Sequence, residues 1–193
     1  MPDGTRLRDA LSRPGGESSD FDLNPDIILP ADRVLRPAAV LVAVWGDSLV
    51  LTKRSSHLKH HPGQIAFPGG KLDPTDASLE AAALRESREE IGLPEASVDL
   101  WGRLPTHETV TGFTMTPILG RITTPFTPIP EAGEVDEVFT VPLSHVLTPA
   151  NYVIERRLWR GTWRRYYAVP YGPYYIWGAT ARILRGLAER VQP

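Results

Sequence analysis

The chain contains no cysteine. That absence excludes disulfides, thiolate-ligated zinc, iron–sulfur clusters and a thiol nucleophile. Net charge is also nearly absent, with 21 Lys and Arg against 23 Asp and Glu giving −2. So small a charge builds no general polyanion-binding surface, so any phosphate site must be local and no nucleic-acid partner is expected. No run approaches ~18 apolar residues, and the stretch from Met1 to Gly16 lacks an apolar signal core, so no membrane is expected and the default setting is cytoplasmic. Internal repeats and low-complexity tracts are missing as well. Proline is abundant, 19 of 193 residues, about twice ordinary usage, which favours turns over a long-helix bundle. The length suits one domain.

Residues 1–35 read as an N-terminal extension, partly flexible, with a short helix from Thr5 to Leu11. Residues 36–193 read as a single domain. Ala38 to Trp45 is a continuous apolar run, the pattern of a strand buried on both faces. Gly46-Asp47 turns it into a hairpin partner, Ser48 to Thr52. Residues 53–76 are irregular and rich in Gly, Pro and His. A helix is expected over 77–91, closed by Gly92. Val98 to Leu104, Thr114 to Ile122 and the stretch entering Pro142 read as strands. Leu158 to Val169 reads as a hairpin turning at Gly161-Thr162. Ile176 to Val191 has the apolar spacing of an amphipathic helix. Strands mixed with few helices indicate an α/β (α+β) domain, an α/β/α sandwich around a mixed sheet.

The helix over 77–91 carries the chemistry. At about 100° per residue, Glu86, Glu89 and Glu90 converge on one stripe. Like charges one turn apart repel. A hard divalent cation reverses that sign, because Mg²⁺ takes carboxylate and water oxygens together with substrate phosphates. Phe67-Pro-Gly-Gly70 lies just upstream, and its side-chain-free backbone can bring a carbonyl oxygen to the same place. The alternative is a salt-bridged solvent face, with Arg85 and Glu89 at i, i+4.

The segment Gly69 to Leu93 resembles the Nudix box, G-x5-E-x7-R-E-U-x-E-E-x-G-U, where U is aliphatic. Arg85-Glu86-Ser87-Arg88-Glu89-Glu90-Ile91-Gly92-Leu93 matches its second half at every fixed residue, although Ser87 replaces an aliphatic one. The first box glutamate falls on Ala77, with Asp76 beside it; Asp76 either substitutes for that acid or caps the helix. The resemblance implies a Nudix-type sandwich and hydrolysis of a nucleoside diphosphate linked to another group. It implies Mg²⁺ or Mn²⁺ held by Glu86, Glu89 and Glu90, with a carbonyl from Gly69 or Gly70, while Arg85 orients a glutamate. Glu89 is the preferred general base and Glu134 the alternative.

Leu51-Thr-Lys-Arg54-Ser55-Ser-His-Leu-Lys59-His-His-Pro-Gly63-Gln-Ile-Ala-Phe67-Pro-Gly-Gly70 is similar to the second signature of Nudix coenzyme A pyrophosphatases, L-L-T-x-R-S-x3-R-x3-G-x3-F-P-G-G. Lys59 replaces the second arginine, keeping charge and losing the bidentate fork. Trp177-Gly-Ala-Thr-Ala181 resembles the same family more weakly. The resemblance implies coenzyme A, or an acyl or oxidised derivative, as substrate, with Lys53, Arg54, Ser55, Lys59, Gly63 and Phe67 in its binding segment. Rival readings are a Nudix hydrolase for ADP-ribose or nucleoside triphosphates, an RNA cap pyrophosphatase, and a non-catalytic nucleotide-binding module. His57, His60 and His61 as zinc ligands, or the whole loop as a plain basic patch, are the bland alternatives. Trp159 to Tyr167 alternates basic and aromatic residues, as in a hairpin that walls a pocket or packs in a homodimer. Tyr174, Tyr175 and Trp177 read as core.

Overall fold

The computed structural model describes residues 4–30, 32–159 and 161–192. Its elements are α1 (Gly4–Ser12), β1 (Ser18–Ser19), β2 (Arg36–Trp45), β3 (Ser48–Arg54), β4 (Ile65–Ala66), β5 (Gly69–Lys71), α2 (Leu79–Ile91), β6 (Val98–Arg103), β7 (His107–Glu108), β8 (Phe113–Ile122), β9 (Val135–Pro142), α3 (Leu143–Val146), β10 (Val153–Trp159), β11 (Thr162–Ala168) and α4 (Ala179–Val191). Among the described residues β1 to β9 form one mixed sheet, and β10 and β11 a separate hairpin. β2 runs parallel to β8 from Arg36 to Val44 and antiparallel to β3 and β5.

The apolar run of β2 explains the layers. Val40, Val42 and Val44 enter one core, while Ala39, Leu41 and Ala43 enter another. Alternation along a strand sends these two sets to opposite faces. The first core is closed by α4, through Ile183, Leu184, Leu187 and Val191, and by Leu7 and Ala10 of α1. The second is closed by Ala82, Ala83 and Ile91 of α2. Helices on both faces make the expected α/β/α sandwich. Leu7 and Ala10, within the stretch read as an extension, have no solvent exposure.

β2 and β3 pair only at Val44–Leu49 and Trp45–Ser48 before they splay. The chain after β3 fills the wedge. Thr52 and Lys53 pair with Ala66 and Ile65, Leu41 N–H donates to Pro68 C=O, and Gly69 to Lys71 pair with Val40 to Ala38. The glycine-rich segment thus sits inside the sheet, under the helix that follows it. Thr180 of α4 donates its hydroxyl to Ile65 C=O and pins the same segment from the other side.

Two boundaries differ from expectation. α2 begins at Leu79, because the Ser78 side chain accepts the Ala81 N–H as N-cap. α4 begins at Ala179, because Val169 N–H bonds to Ile176 C=O and Gly178 turns the chain at φ 65°. The hairpin is longer than expected, its first arm starting at Val153. Tyr174 is half-buried, packs against the α4-side core and stacks on Phe139, whereas Tyr175 is 39% exposed and is not a core residue. Among the described residues no helix is long and apolar enough to cross a membrane.

Glu80, in the first turn of α2, receives two hydrogen bonds from the Arg103 guanidinium at 2.6 and 2.8 Å. Those bonds hold its carboxyl well down, at about 2. A depressed folded value stabilises above the unfolded value and is lost as pH falls from about 4.5 towards 2. Glu80→Gln is therefore expected to be less stable than the parent at pH 6, with the difference in urea midpoint shrinking towards pH 2.

Candidate active site

Glu90 is the central group. It is charged in sequence yet only 5% exposed, because its position on α2 turns inward towards the wedge. Its carboxylate accepts the Gly69 N–H at 3.1 Å. Burial pushes its carboxyl up to about 7, with Glu86 and Glu134 adding repulsion; the Gly69 N–H and the Arg54 charge oppose the shift. Glu86 stands one turn before it and is also pushed up, first by burial, with Glu89 and Glu134 contributing. Four acids thus press on one another around the two glycines.

The glycines permit this approach. A Cβ on Gly70 would lie 2.5 Å from the Glu86 carboxyl carbon. A Cβ on Gly69 would lie 2.4 Å from Ala39 C=O, at a φ of 147°. The first clash involves the end of a flexible side chain and the second fixed backbone.

Arg85 organises the acids. Its guanidinium meets Asp76 at 2.9 and 3.0 Å, Glu86 at 3.0 Å and Glu89 at 2.9 Å. Asp76 is held below the usual carboxylate range by those bonds. Asp76 also accepts the Asp73 N–H, and the helix cap is Ser78, so the capping reading of Asp76 is corrected. Asp76 anchors Arg85 instead. Ser87, the departure from an aliphatic residue, is fully buried and satisfied by donating to Ala83 C=O at 2.6 Å. A buried hydroxyl that bonds back one helical turn carries no unpaired donor.

The loop after β8 completes the acidic end. Ile129 N–H and Glu131 N–H cap the carbonyls of Ile91 and Glu90, groups that a helix C-terminus otherwise leaves open. Ser55 N–H bonds to Glu134 C=O. The exposed Glu134, read above as the second choice for base, is thereby carried close enough to raise both Glu86 and Glu90. Glu89, the first choice, is 51% exposed at its side chain and paired with Arg85.

The basic segment divides. Val50 packs on the α2 side and Leu49 and Leu51 on the other. Alternation places Arg54 with the acids and Lys53 on the opposite face, across from Glu137. Arg54 has no ion pair among the described residues, yet its charge acts on Glu90 and on His61. Its backbone closes the loop base with Gly63 and Gln64, and Gly63 turns there at φ 68°. Lys59 is exposed in the loop. Ser55 and Phe67, read as part of the binding segment, are both buried. Ser55 is 1% exposed, its hydroxyl accepting the His57 N–H; Phe67 belongs to the core on the α4 side. These two residues of the segment help to hold the wedge together.

No metal cage of three or more His, Asp or Glu side chains is assembled among the described residues, neither by the histidines of the loop nor by the acids. The acids nonetheless fit a hard cation. Glu86 and Glu90 offer mutually repelling oxygens beside backbone that has no Cβ, and opposite charge is what relieves both.

A NUDIX domain model matches residues 35–159. The chain belongs to the Nudix family. It is 42% identical over 187 residues to a protein of Enterobacter sp. (strain 638) named uncharacterized Nudix hydrolase NudL, covering 88% of this chain and 96% of that one. A NudL of Salmonella paratyphi B is 43% identical over 159 residues, 81% of this chain and 83% of its own. Among solved structures, the MutT protein of Methanosarcina mazei Go1 has the same fold, with a TM-score of 0.50, 22% identity, and coverage of 61% of this chain and 84% of that one.

Gly69→Ala is expected to cost at least ~2 kcal/mol of stability, whereas Gly70→Ala keeps the fold and displaces Glu86, lowering turnover at least about tenfold; thermal melts beside rate measurements separate them. A carboxyl raised on folding destabilises progressively as pH rises from about 4.5 through 7. In chelator, Glu90→Gln should therefore melt on the order of 5 °C above the parent at pH 8, with the gain gone at pH 4.5.

Proposed function

We propose that this Nudix hydrolase cleaves the pyrophosphate of coenzyme A or a derivative, releasing 3′,5′-ADP and 4′-phosphopantetheine. The observation that carries this reading is the placement of Arg54. The signature segment from Leu51 to Gly70 runs straight from that guanidinium into the glycine turn beneath Glu86 and Glu90. A substrate bearing a 3′-phosphate besides its pyrophosphate needs cations beyond the metal, and Arg54 stands on the acid side with no ion pair among the described residues. Lys59, exposed in the same loop, is free to reach a second phosphate.

Glu86 and Glu90 would hold a Mg²⁺ or Mn²⁺ ion with a carbonyl of Gly69 or Gly70, and Glu89 would join on leaving Arg85. The chemistry such an ion supplies is neutralisation of phosphate oxygens and acidification of water. Arg85, anchored by Asp76, orients Glu86 and Glu89 through its ion pairs with both. Glu134 or Glu89 takes the proton from the attacking water. Glu134 has the advantage of a carboxylate that is not tied to Arg85.

The test is product analysis with coenzyme A, its 3′-dephospho form and ADP-ribose in Mg²⁺. Coenzyme A should be the preferred substrate, with at least about a tenfold loss when the 3′-phosphate is missing. Glu86→Gln should lower kcat at least about a hundredfold. Equal rates on ADP-ribose would overturn the assignment to coenzyme A.

A further inference from the structure

The β10–β11 hairpin stands outside the main sheet, and an isolated two-stranded ribbon is at best marginal in water. Its outer sides differ. On β11, Arg165 N–H donates to Asn24 Oδ1 and Arg165 C=O accepts from Asn24 Nδ2, and Tyr167 C=O accepts Gly178 N–H. Those groups therefore point away from β10. Because Arg165 faces Arg156 and Tyr167 faces Ile154, alternation turns the backbone groups of Ile154, Arg156 and Leu158 outward on the β10 side. Among the described residues β10 pairs with β11 alone. Ile154 is 55% and Leu158 54% exposed. An open edge with exposed apolar side chains is a template for another strand.

We propose that β10 pairs antiparallel with β10 of a second copy of this chain, about a two-fold axis at Arg156. Val153-Ile-Glu-Arg-Arg-Leu-Trp159 reads as its own complement about that residue. Ile154 falls opposite Leu158 of the second copy, Glu155 opposite Arg157, and Val153 opposite Trp159. Each outward residue meets an outward residue, so every exposed N–H and C=O finds its counterpart. Placing the axis between two residues sets outward groups against inward ones. Placing it at Glu155 or at Arg157 sets a like charge against itself and parts Ile154 from Leu158. The cost of the chosen register is Arg156 facing Arg156, a like pair that lies over the Trp163 ring at 5.0 Å in each copy. One strand edge buries little area, so weak association, with a Kd of about 1–100 μM, is expected.

Sedimentation velocity of the full chain over concentration tests this. Dimer should rise with concentration. Glu155→Arg and Arg157→Glu should each weaken association at least about tenfold, and the double variant should restore it, since the swapped pair is complementary again. Arg156→Thr should tighten it by relieving the axial repulsion. Circular dichroism checks that each variant is folded. A parent that stays monomeric to about 0.5 mM, well above the expected range, overturns the proposal. So do single variants without effect, or a double variant that stays weak.

Discussion

A single backbone N–H, that of Gly69, reaches the carboxylate of Glu90, and the site is built outward from that bond. It joins the turn that fills the wedge between β2 and β3 to the helix that carries the acids. Gly69 can sit there because it has no Cβ to meet Ala39 and Val40. Glu90 can be buried there because the N–H compensates part of the lost hydration. Burial nevertheless pushes its carboxyl up, and the repulsion from Glu86 and Glu134 adds to that. A protein selected for stability alone would place an apolar side chain at that position; the retained strain is of the kind expected where a cation is to be taken up.

Arg85 supplies the counterweight. Three carboxylates, on Asp76, Glu86 and Glu89, converge on one guanidinium. Its planar fork lets it serve several acceptors at once, which an ammonium does less well. The acids of the helix therefore fall into two sets, one held by Arg85 and one turned into the wedge, with Glu86 belonging to both.

Much of this was legible in the residues. The β2 run, its hairpin, the acid helix and Gly92 as its left-handed stop follow from pattern and turn chemistry, and the two-faced burial of β2 already implies helices on both sides of the sheet. What was not legible depends on tertiary direction. Lys53 and Arg54 are adjacent and alike in charge, yet the strand sends them to opposite faces. Phe67 and Ser55 stand within a binding signature, yet one fills the core and the other ties a loop. Asp76 lies nine residues from Arg85 and meets it only because the turn from Lys71 to Ser78 folds back. Glu134 is far away in sequence and arrives through backbone bonds that no side-chain pattern announces.

Those backbone bonds have a mechanical outcome. Glu131 N–H holds Glu90 C=O, and Ser55 N–H holds Glu134 C=O, so the helix end, the acidic turn and the root of the basic loop are lashed in series. Shifting one member drags the other two, and the spacing of carboxylates and guanidinium behaves as one calibrated length. The proline-rich stretch from Thr123 to Pro130 sets how far that lashing reaches. Shortening it by a residue would detune the charge map although the stretch itself contains no charged residue.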